Sequence, residues 1–411
     1  MKTKESIVVT GKCGTAIVYA DILEESARKQ IETMLNYEFV KDSVVRIMPD
    51  VHAGKGCTIG TTMTVRDKIV PNLVGVDIGC GMLTVKFEEK DVDLKALDEI
   101  CHAIPSGMNV WEEARKDESI LDELALLCCY DSIKNIDWIR RSLGTLGGGN
   151  HFIEMDLGKD GALYLVIHSG SRNLGKQVAD IYQKQAIAYH GDKGRKAFKE
   201  LQDKLVESYK KEGMPERIPG AIRNLKEVLS PRNVPDDLCW LEGDMMRRYM
   251  CDLDICQRFA ARNREIIAHE IFAGLKLHVS SMFHTVHNYI DLEDMVLRKG
   301  AIKAKQGTPL LIPMNMREGS ILGVGKGNPN WNCSAPHGAG RVMSRSEARR
   351  RLSLEKYEKT MEGVYSTSVG LGTIDEAPMV YKPMEDILEW VQETVEVIDV
   401  IKPVYNFKAS E

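Results

Sequence analysis

The chain has 411 residues, 43% hydrophobic and 28% charged, with a formal net charge of -5 at pH 7. That is the make-up of a soluble globular protein with a large core, and its acidic balance excludes nonspecific wrapping of nucleic acid over a broad basic surface, so any nucleic-acid site must be local. No apolar run approaches the roughly 18 to 20 residues of a membrane span, the N-terminus MKTKESIVVTGK lacks a secretory signal's apolar stretch, and ten cysteines without disulfide-like spacing lead to the expectation of reduced thiols in a cytoplasmic protein with no membrane partner.

From the N-terminus, SIVVTG (6–11) and AIVYA (16–20) read as short strands, followed by a helix over 23–35. In MPDVHAGKG (48–56), Asp50 and His52 stand two apart with Lys55 nearby. On an extended strand those two side chains face the same way, which suits a structural hydrogen bond first and orientation of a catalytic imidazole second. TTMTVRDKIV (61–70) and GMLTVKFEE (81–89) alternate well enough to be paired strands around a loop, VGVDIGCGM (74–82). Residues 93–141 are mostly helical by pattern, broken at Pro105 and Gly107, and LYLVIHSG (163–170) is a buried strand that ends in His168.

A helix opens near Asn173, and residues 191–236, which carry Pro215, Pro219, Pro231 and Pro235, read as peripheral helices and loops. A long helix runs from Leu238 to about Phe272, so the helical segment at about 191–275 is expected at the periphery. VSSMFHTVHNYIDL (279–292) returns to strand, short strands continue to Val324, and TVEVIDVIKPVYNFK (394–408) closes the chain as β. There is no linker, no low-complexity run and no repeat of fixed period. The expectation is an α+β fold, a single large mixed domain over 1–411 with a β-rich core surrounded by helices, because strands and helices do not alternate as in a doubly wound sheet.

Several of these stretches carry chemistry. Asp77 and Cys80 share one glycine-rich loop and can reach the same small volume; a buried Cys can equally be core filling. LGTLGGGNHFIE (143–154) leads Gly147 to Gly149 into Asn150 and His151, as a flexible turn or as backbone N–H groups that approach phosphate. After His168 come SGSRNLG and the start of a helix, where Arg172 either adds a donor to an anion site or faces solvent. Strand alternation puts His284 and His287 on opposite faces, and the adjacent Asn288 favours His287 as the one that meets the site.

One carboxylate, one thiolate and three imidazoles exceed a closed tetrahedral zinc site and suit two ions that share Cys80. The mixed donors permit zinc, manganese, iron or cobalt. In SAPHGAGR (334–341), His337 is either a turn residue or a nucleophile towards phosphorus. Arg341, Arg345 and Arg349 follow at intervals of four, as a salt-bridged helix face or as a row of phosphate contacts.

PDVHAGKG, VGVDIGCGM, GGGNHFIE, HSGSRNLG, HNYI, HGAGR and Lys408 occur in this order over nearly the whole chain. The combination resembles the RtcB-type RNA-splicing ligases, in the shorter form found in many bacteria. The resemblance implies an RtcB-like fold and a ligase dependent on GTP and manganese. It would join RNA 2′,3′-cyclic phosphate or 3′-phosphate ends to 5′-hydroxyl ends, in RNA repair or tRNA splicing. A pair of manganese ions would share Cys80, with Asp77 and His151 completing one site and His168 and His287 the other.

His337 would take GMP from GTP as a phosphoramidate, and Asp50 would orient it. Contacts to GTP would come from Asn150, His151, Phe152, Ile153, Glu154, His287, Asn288, Pro313, Met314, Asn315, Met316, Ser320, His337, Gly338, Ala339, Gly340, Arg341 and Lys408. Among these, Glu154 and Lys408 suit the donors and the carbonyl of guanine. An accessory activator protein joins RNA and GTP among the expected partners. A dinuclear metal phosphodiesterase or phosphatase using the same ligands without guanylylation is the alternative, and a noncatalytic RNA-end binder is a third class.

Overall fold

In the computed structural model, residues 5–54, 56–116, 118–228 and 234–409 are described; Lys55 and Pro231 lie outside them. Two sheets carry the architecture. The first has six strands in the order Ile7–Thr10, Thr15–Val18, Val45–His52, Ile59–Thr64, Val296–Lys299 and Asn288–Asp291, with one parallel pair between the second and third. The second has seven antiparallel strands in the order Val279–Val286, Gly81–Phe87, Leu163–Ser169, Phe152–Leu157, Val395–Lys408, Gly319–Gly325 and Pro309–Asn315. Its first and last strands approach each other, and Leu311 N–H donates to Thr285 Oγ1 at 3.1 Å.

Strand alternation divides the seven-stranded sheet into two faces. Leu83, Val85, Ile153, Met155, Leu165, Ile167, Tyr405 and Phe407 pack outward, against Leu97 and Cys101 of the Leu94–Ala103 helix and Ile267, Ala268 and Ile271 of the Gly243–Leu275 helix. Met82, Phe152, Tyr164, Val166, Leu311 and Ile401 form a smaller inner cluster. His168, Glu154 and Lys408 belong to this inner set by the same alternation, so the concave side of the sheet is where polar chemistry collects.

The first strands and the helix at Glu25–Met34 match the expectation from sequence, as do the strand that ends near His168 and the closing β segment. The mixed architecture is α+β as the pattern predicted. The predicted pairing of 61–70 with 81–89 does not occur. Ile59–Thr64 belongs to the six-stranded sheet, Lys68–Ile69 pairs with Leu241–Glu242, and Gly81–Phe87 belongs to the other sheet. The short Pro71–Val74 helix and the Asp77–Cys80 loop therefore carry the chain from one sheet to the other.

Among the described residues, the stretch from 93 to 141 holds the short α-helices Leu94–Ala103, Ser119–Glu123 and Ile136–Ser142, among 3-10 turns and irregular chain. The helix expected near Asn173 starts at Arg172 and runs 40 residues to Lys211, through much of the stretch read as short pieces. The peripheral reading of 191–275 also fails for its last third. The Gly243–Leu275 helix buries Tyr249, Asp252, Phe259, Asn263 and Arg264, because it fills the space between the sheets' loops and the Arg172–Lys211 helix.

Candidate active site

Asp77, Cys80, His151, His168 and His287 come together where the loops of both sheets meet. They form two trios that share Cys80, one with Asp77 and His151 and one with His168 and His287. Within each trio the ligand atoms lie within 4.8 Å of one another. Cys80 Sγ is 3.4 Å from His151 Nε2 and 3.3 Å from His168 Nε2. His151 Nε2 is 3.2 Å from Asp77 Oδ2, and the Nε2 atoms of His168 and His287 are 3.0 Å apart. His284 points the other way, to Glu265 at 3.2 Å, as strand alternation predicted.

Backbone carbonyls fix the imidazole tautomers. His151 Nδ1–H donates to Leu146 O at 2.9 Å and His168 Nδ1–H donates to Asn150 O at 3.1 Å. A carbonyl only accepts, so Nε2 of each ring carries the lone pair that faces Cys80. Burial lowers His168 and His287 well below the usual imidazole range and keeps them neutral. Burial and the neighbouring Asp77 raise the Cys80 thiol well above its ordinary value.

This donor set could hold divalent metal. Lone pairs converge at hydrogen-bond distance with few protons between them, and the buried His287 Nδ1 meets no partner among the described residues. A divalent cation held by these residues would satisfy the facing nitrogens and favour the Cys80 thiolate.

The loops are held from behind by two side chains of the Gly243–Leu275 helix that sequence reading did not single out. Asn263 Oδ1 accepts from the N–H groups of Gly144 and Thr145, and its Nδ2 donates to Ser169 Oγ at 2.9 Å. Arg264 donates to Gly79 O and Ser169 O, each at 2.8 Å, and so ties the Cys80 loop to the strand end of His168. At Gly79, with φ +78°, a Cβ would stand 2.9 Å from that of Ala260. Only glycine lets this loop lie against the helix.

Gly147 has φ +88°, and a Cβ there would meet Arg172 Nη1 at 1.9 Å and His151 Nδ1 at 2.6 Å. Arg172 is half-buried and turned into the glycine-rich loop. Its Nε donates to Thr145 Oγ1 at 2.9 Å and Nη2 to Gly107 O at 2.8 Å, and burial lowers it to about 10. The guanidinium is a brace for the glycine-rich loop.

Beside the second trio, the His337 and His287 ring centroids are 4.9 Å apart. Asp50, fully buried, accepts from His337 Nδ1–H at 2.7 Å and from His337 N–H at 3.1 Å, which leaves the other ring nitrogen as the nucleophilic lone pair. His52 Nδ1–H donates to Asp50 O at 2.8 Å, the structural role expected of it, while its ring also borders the cavity.

That cavity, of about 270 Å³, is lined by Asn150, Phe152, Glu154, His168, His287, Asn288, Pro313 to Met316, His337 to Arg341 and Lys408. Three expected contacts do not line it. Ile153 alternates outward into the hydrophobic cluster, His151 belongs to the first trio, and Ser320 lies buried on the neighbouring Gly319–Gly325 strand.

Glu154 is buried, accepts from Asn406 Nδ2 at 2.6 Å, and is raised to about 7 by burial, against the pull of Asn406 and Lys408. Asp156, two residues on, has neither oxygen partnered among the described residues, and burial together with Glu154 raises it well above the carboxylate range. Lys408 Nζ donates to Glu376 at 2.9 Å.

The arginine row also departs from its expected form. The helix starts only at Arg345, and Arg341 lies before it. Arg345 and Arg349 reach Asp375, and Arg341 and Arg345 reach Glu376. The row is thus salt-bridged, but to buried carboxylates. Arg345 lines the cavity together with Glu376 and Tyr381, and the latter two were not anticipated. The adjacent acids in TIDEAP were the available signal, two carboxylates opposite three arginines, but nothing in the pattern joins segments that distant.

A family model described as "tRNA-splicing ligase RtcB" matches residues 30–129 and 129–409. The chain is 30% identical to an Escherichia coli "RNA-splicing ligase RtcB1", over 94% of this chain and 95% of that protein. It is 29% identical to the "RNA-splicing ligase RtcB" of Escherichia coli K12, with the same coverage. A "tRNA-splicing ligase RtcB" from Aeropyrum pernix is 28% identical over 91% of this chain and 90% of its own. No described helix is long and apolar enough to cross a membrane.

Proposed function

The chain belongs to the RtcB family and is an RNA ligase, and we propose that it joins RNA 3′-phosphate or 2′,3′-cyclic phosphate ends to 5′-hydroxyl ends with GTP as the energy source and manganese as the metal. The observation that carries this reading is the Asp50–His337 pair at a cavity that also meets the Cys80-sharing trios. Asp77, Cys80, His151, His168 and His287 would hold a pair of ions. When bound, they supply Lewis-acid stabilisation of phosphoryl oxygens.

The remaining chemistry falls to the chain's own residues. Asp50 holds the proton-bearing Nδ1 of His337, so Nε2 attacks the α-phosphorus of GTP. A P–N bond forms, the P–O bond to pyrophosphate breaks, and a histidine–GMP phosphoramidate results. Asp50 also stabilises the positive charge that develops on the ring.

An RNA 3′-phosphate oxygen then takes the guanylyl group, breaking the P–N bond and restoring His337. The 5′-hydroxyl attacks the activated 3′-phosphorus, GMP leaves, and a 3′,5′-phosphodiester forms. A cyclic phosphate end is first opened to the 3′-phosphate. Glu154 accepts from the N–H groups of guanine, and Lys408 keeps donors beyond the one that Glu376 uses for the base carbonyl. The reaction would serve RNA repair or tRNA splicing, with an accessory activator protein as a partner.

Incubation with manganese and GTP labelled at the α-phosphate tests the proposal. An acid-labile, alkali-stable label is expected on the wild type and none on His337→Ala. Equal labelling of both rejects His337 as nucleophile. Opening of cyclic phosphate ends with no label on the wild type would instead identify the metal-dependent phosphodiesterase.

A further inference from the structure

Glu376 lies at the end of a 3-10 turn, Leu371–Glu376, with 3% of its surface exposed. It borders the same cavity as Arg341, Arg345, Tyr381 and Lys408. Its Oε1 is 3.1 Å from Arg341 Nη1 and 2.8 Å from Arg345 Nη2. Its Oε2 accepts from Lys408 Nζ at 2.9 Å and from Tyr381 O–H at 2.5 Å. A carboxylate offers about four lone-pair positions. All are taken, so Glu376 has no capacity left to read a ligand and must act through its donors.

Those donors come from separate parts of the chain. Lys408 ends the Val395–Lys408 strand, and Arg345 opens the Arg345–Arg351 helix. Arg341 follows His337 by four positions and pairs with Tyr381 as an isolated antiparallel bridge. The pairing is extended by Val342 N–H to Val380 O at 2.8 Å and Lys382 N–H to Gly340 O at 3.1 Å. The Arg341 guanidinium also lies over the Tyr381 ring at 5.4 Å. The adjacent Asp375 accepts from Arg345 Nη1 at 2.9 Å and Arg349 Nε at 3.3 Å, while Glu376 borders the cavity.

We propose that Glu376 is the positioning residue of the nucleotide cavity: one buried carboxylate sets the Lys408 ammonium against the base and, through Arg341, fixes the loop that carries His337. This rests on the reading of the cavity as a GTP site. Burial opposes ionisation of Glu376, but Lys408 and Arg345, with hydrogen bonds from Tyr381 and Lys408, hold its carboxyl at about 2, so the hub stays charged at any working pH. Charge-assisted bonds of this kind lose most when one partner is removed, because the others are left buried and unpaired.

The test is equilibrium binding of methylanthraniloyl-GTP in a His337→Ala background, where no covalent step intervenes, with the ATP analogue in parallel. Glu376→Gln is expected to weaken binding of the GTP analogue at least tenfold, and Glu376→Asp less. Combined with Lys408→Met, Glu376→Gln should add less than a further threefold, since both remove the same contact. Tyr381→Phe, which keeps the charges, should show the same non-additivity with Lys408→Met and serves if Glu376→Gln does not fold. Additive losses in these cycles, or undiminished affinity in folded Glu376→Gln, overturn the proposal. Equal binding of the two analogues by the otherwise unaltered cavity would instead reject guanine reading and leave the cycle to judge Glu376 alone.

Discussion

Asp50 Oδ2 and His337 Nδ1 are 2.7 Å apart although 287 positions separate the two residues in the chain. The same oxygen accepts the His337 backbone N–H, so ring and backbone are oriented by one buried carboxylate. Replacing it by alanine leaves both donors unpaired and frees the ring to present the wrong tautomer. Asp50→Ala is expected to slow formation of the labelled histidine adduct by roughly 10²- to 10⁴-fold, with metal content unchanged. Single-turnover labelling with elemental analysis checks both halves.

Cys80 belongs to both trios, so its loss should be felt by metal held in either of them. A neutral hydroxyl is a poor bridge between cations. Cys80→Ser is expected to lose most bound manganese after dialysis and to lose ligation with it, whereas His284→Ala, on the opposite face, should keep its metal. Full metal occupancy in Cys80→Ser would count against a shared thiolate.

The convergence of Asp77, Cys80, His151, His168 and His287 was legible in the sequence because each sits in a short glycine-rich or strand-end stretch, and alternation separated His284 from His287 while the adjacent Asn288 favoured His287. What braces those side chains was not legible. Asn263 and Arg264 lie within a long helical run whose pattern marks a helix but not which polar residues are buried, and each is defined by contacts more than 90 positions away. For the same reason the sequence left Arg172 between a donor to an anion and a solvent-facing cation, and its bracing role follows from its contacts with Gly107 and Thr145. Strand pairing failed between 61–70 and 81–89 because adjacency in sequence competed with two separate sheets.

Gly147 offers a test of that brace. With φ +88° and Arg172 Nη1 1.9 Å from where a Cβ would be, Gly147→Ala must either distort the loop or displace the guanidinium. The expected cost is about 1–3 kcal/mol from backbone strain alone, measured by urea unfolding of the metal-free protein. Because His151 follows on the same loop, metal affinity should fall as well; Gly161→Ala, with φ +75° and nothing near its Cβ, controls for the backbone effect. Equal losses in the two variants would mean that Arg172 does not matter.

Glu154 connects stability to recognition. Burial raises its carboxyl to about 7, so the folded protein binds a proton that the unfolded chain gives up near the ordinary Glu value of 4.5. Between those values the native state holds more protons than the unfolded state, and stability therefore falls as pH rises through the window. Above it the buried carboxylate is a net cost of about 3 kcal/mol on that shift. Glu154→Gln keeps an oxygen for Asn406 Nδ2 and carries no charge, so it should be more stable than wild type at pH 8, with the difference shrinking towards pH 5. Affinity for GTP should move the opposite way, because the guanine N–H groups need the ionised acceptor: in wild type it should climb as pH rises towards about 7 and then level off, and in Glu154→Gln it should be weak and flat. Urea unfolding and nucleotide titration over the same pH range read both. A variant that gains stability without losing the pH dependence of binding would remove Glu154 from base recognition.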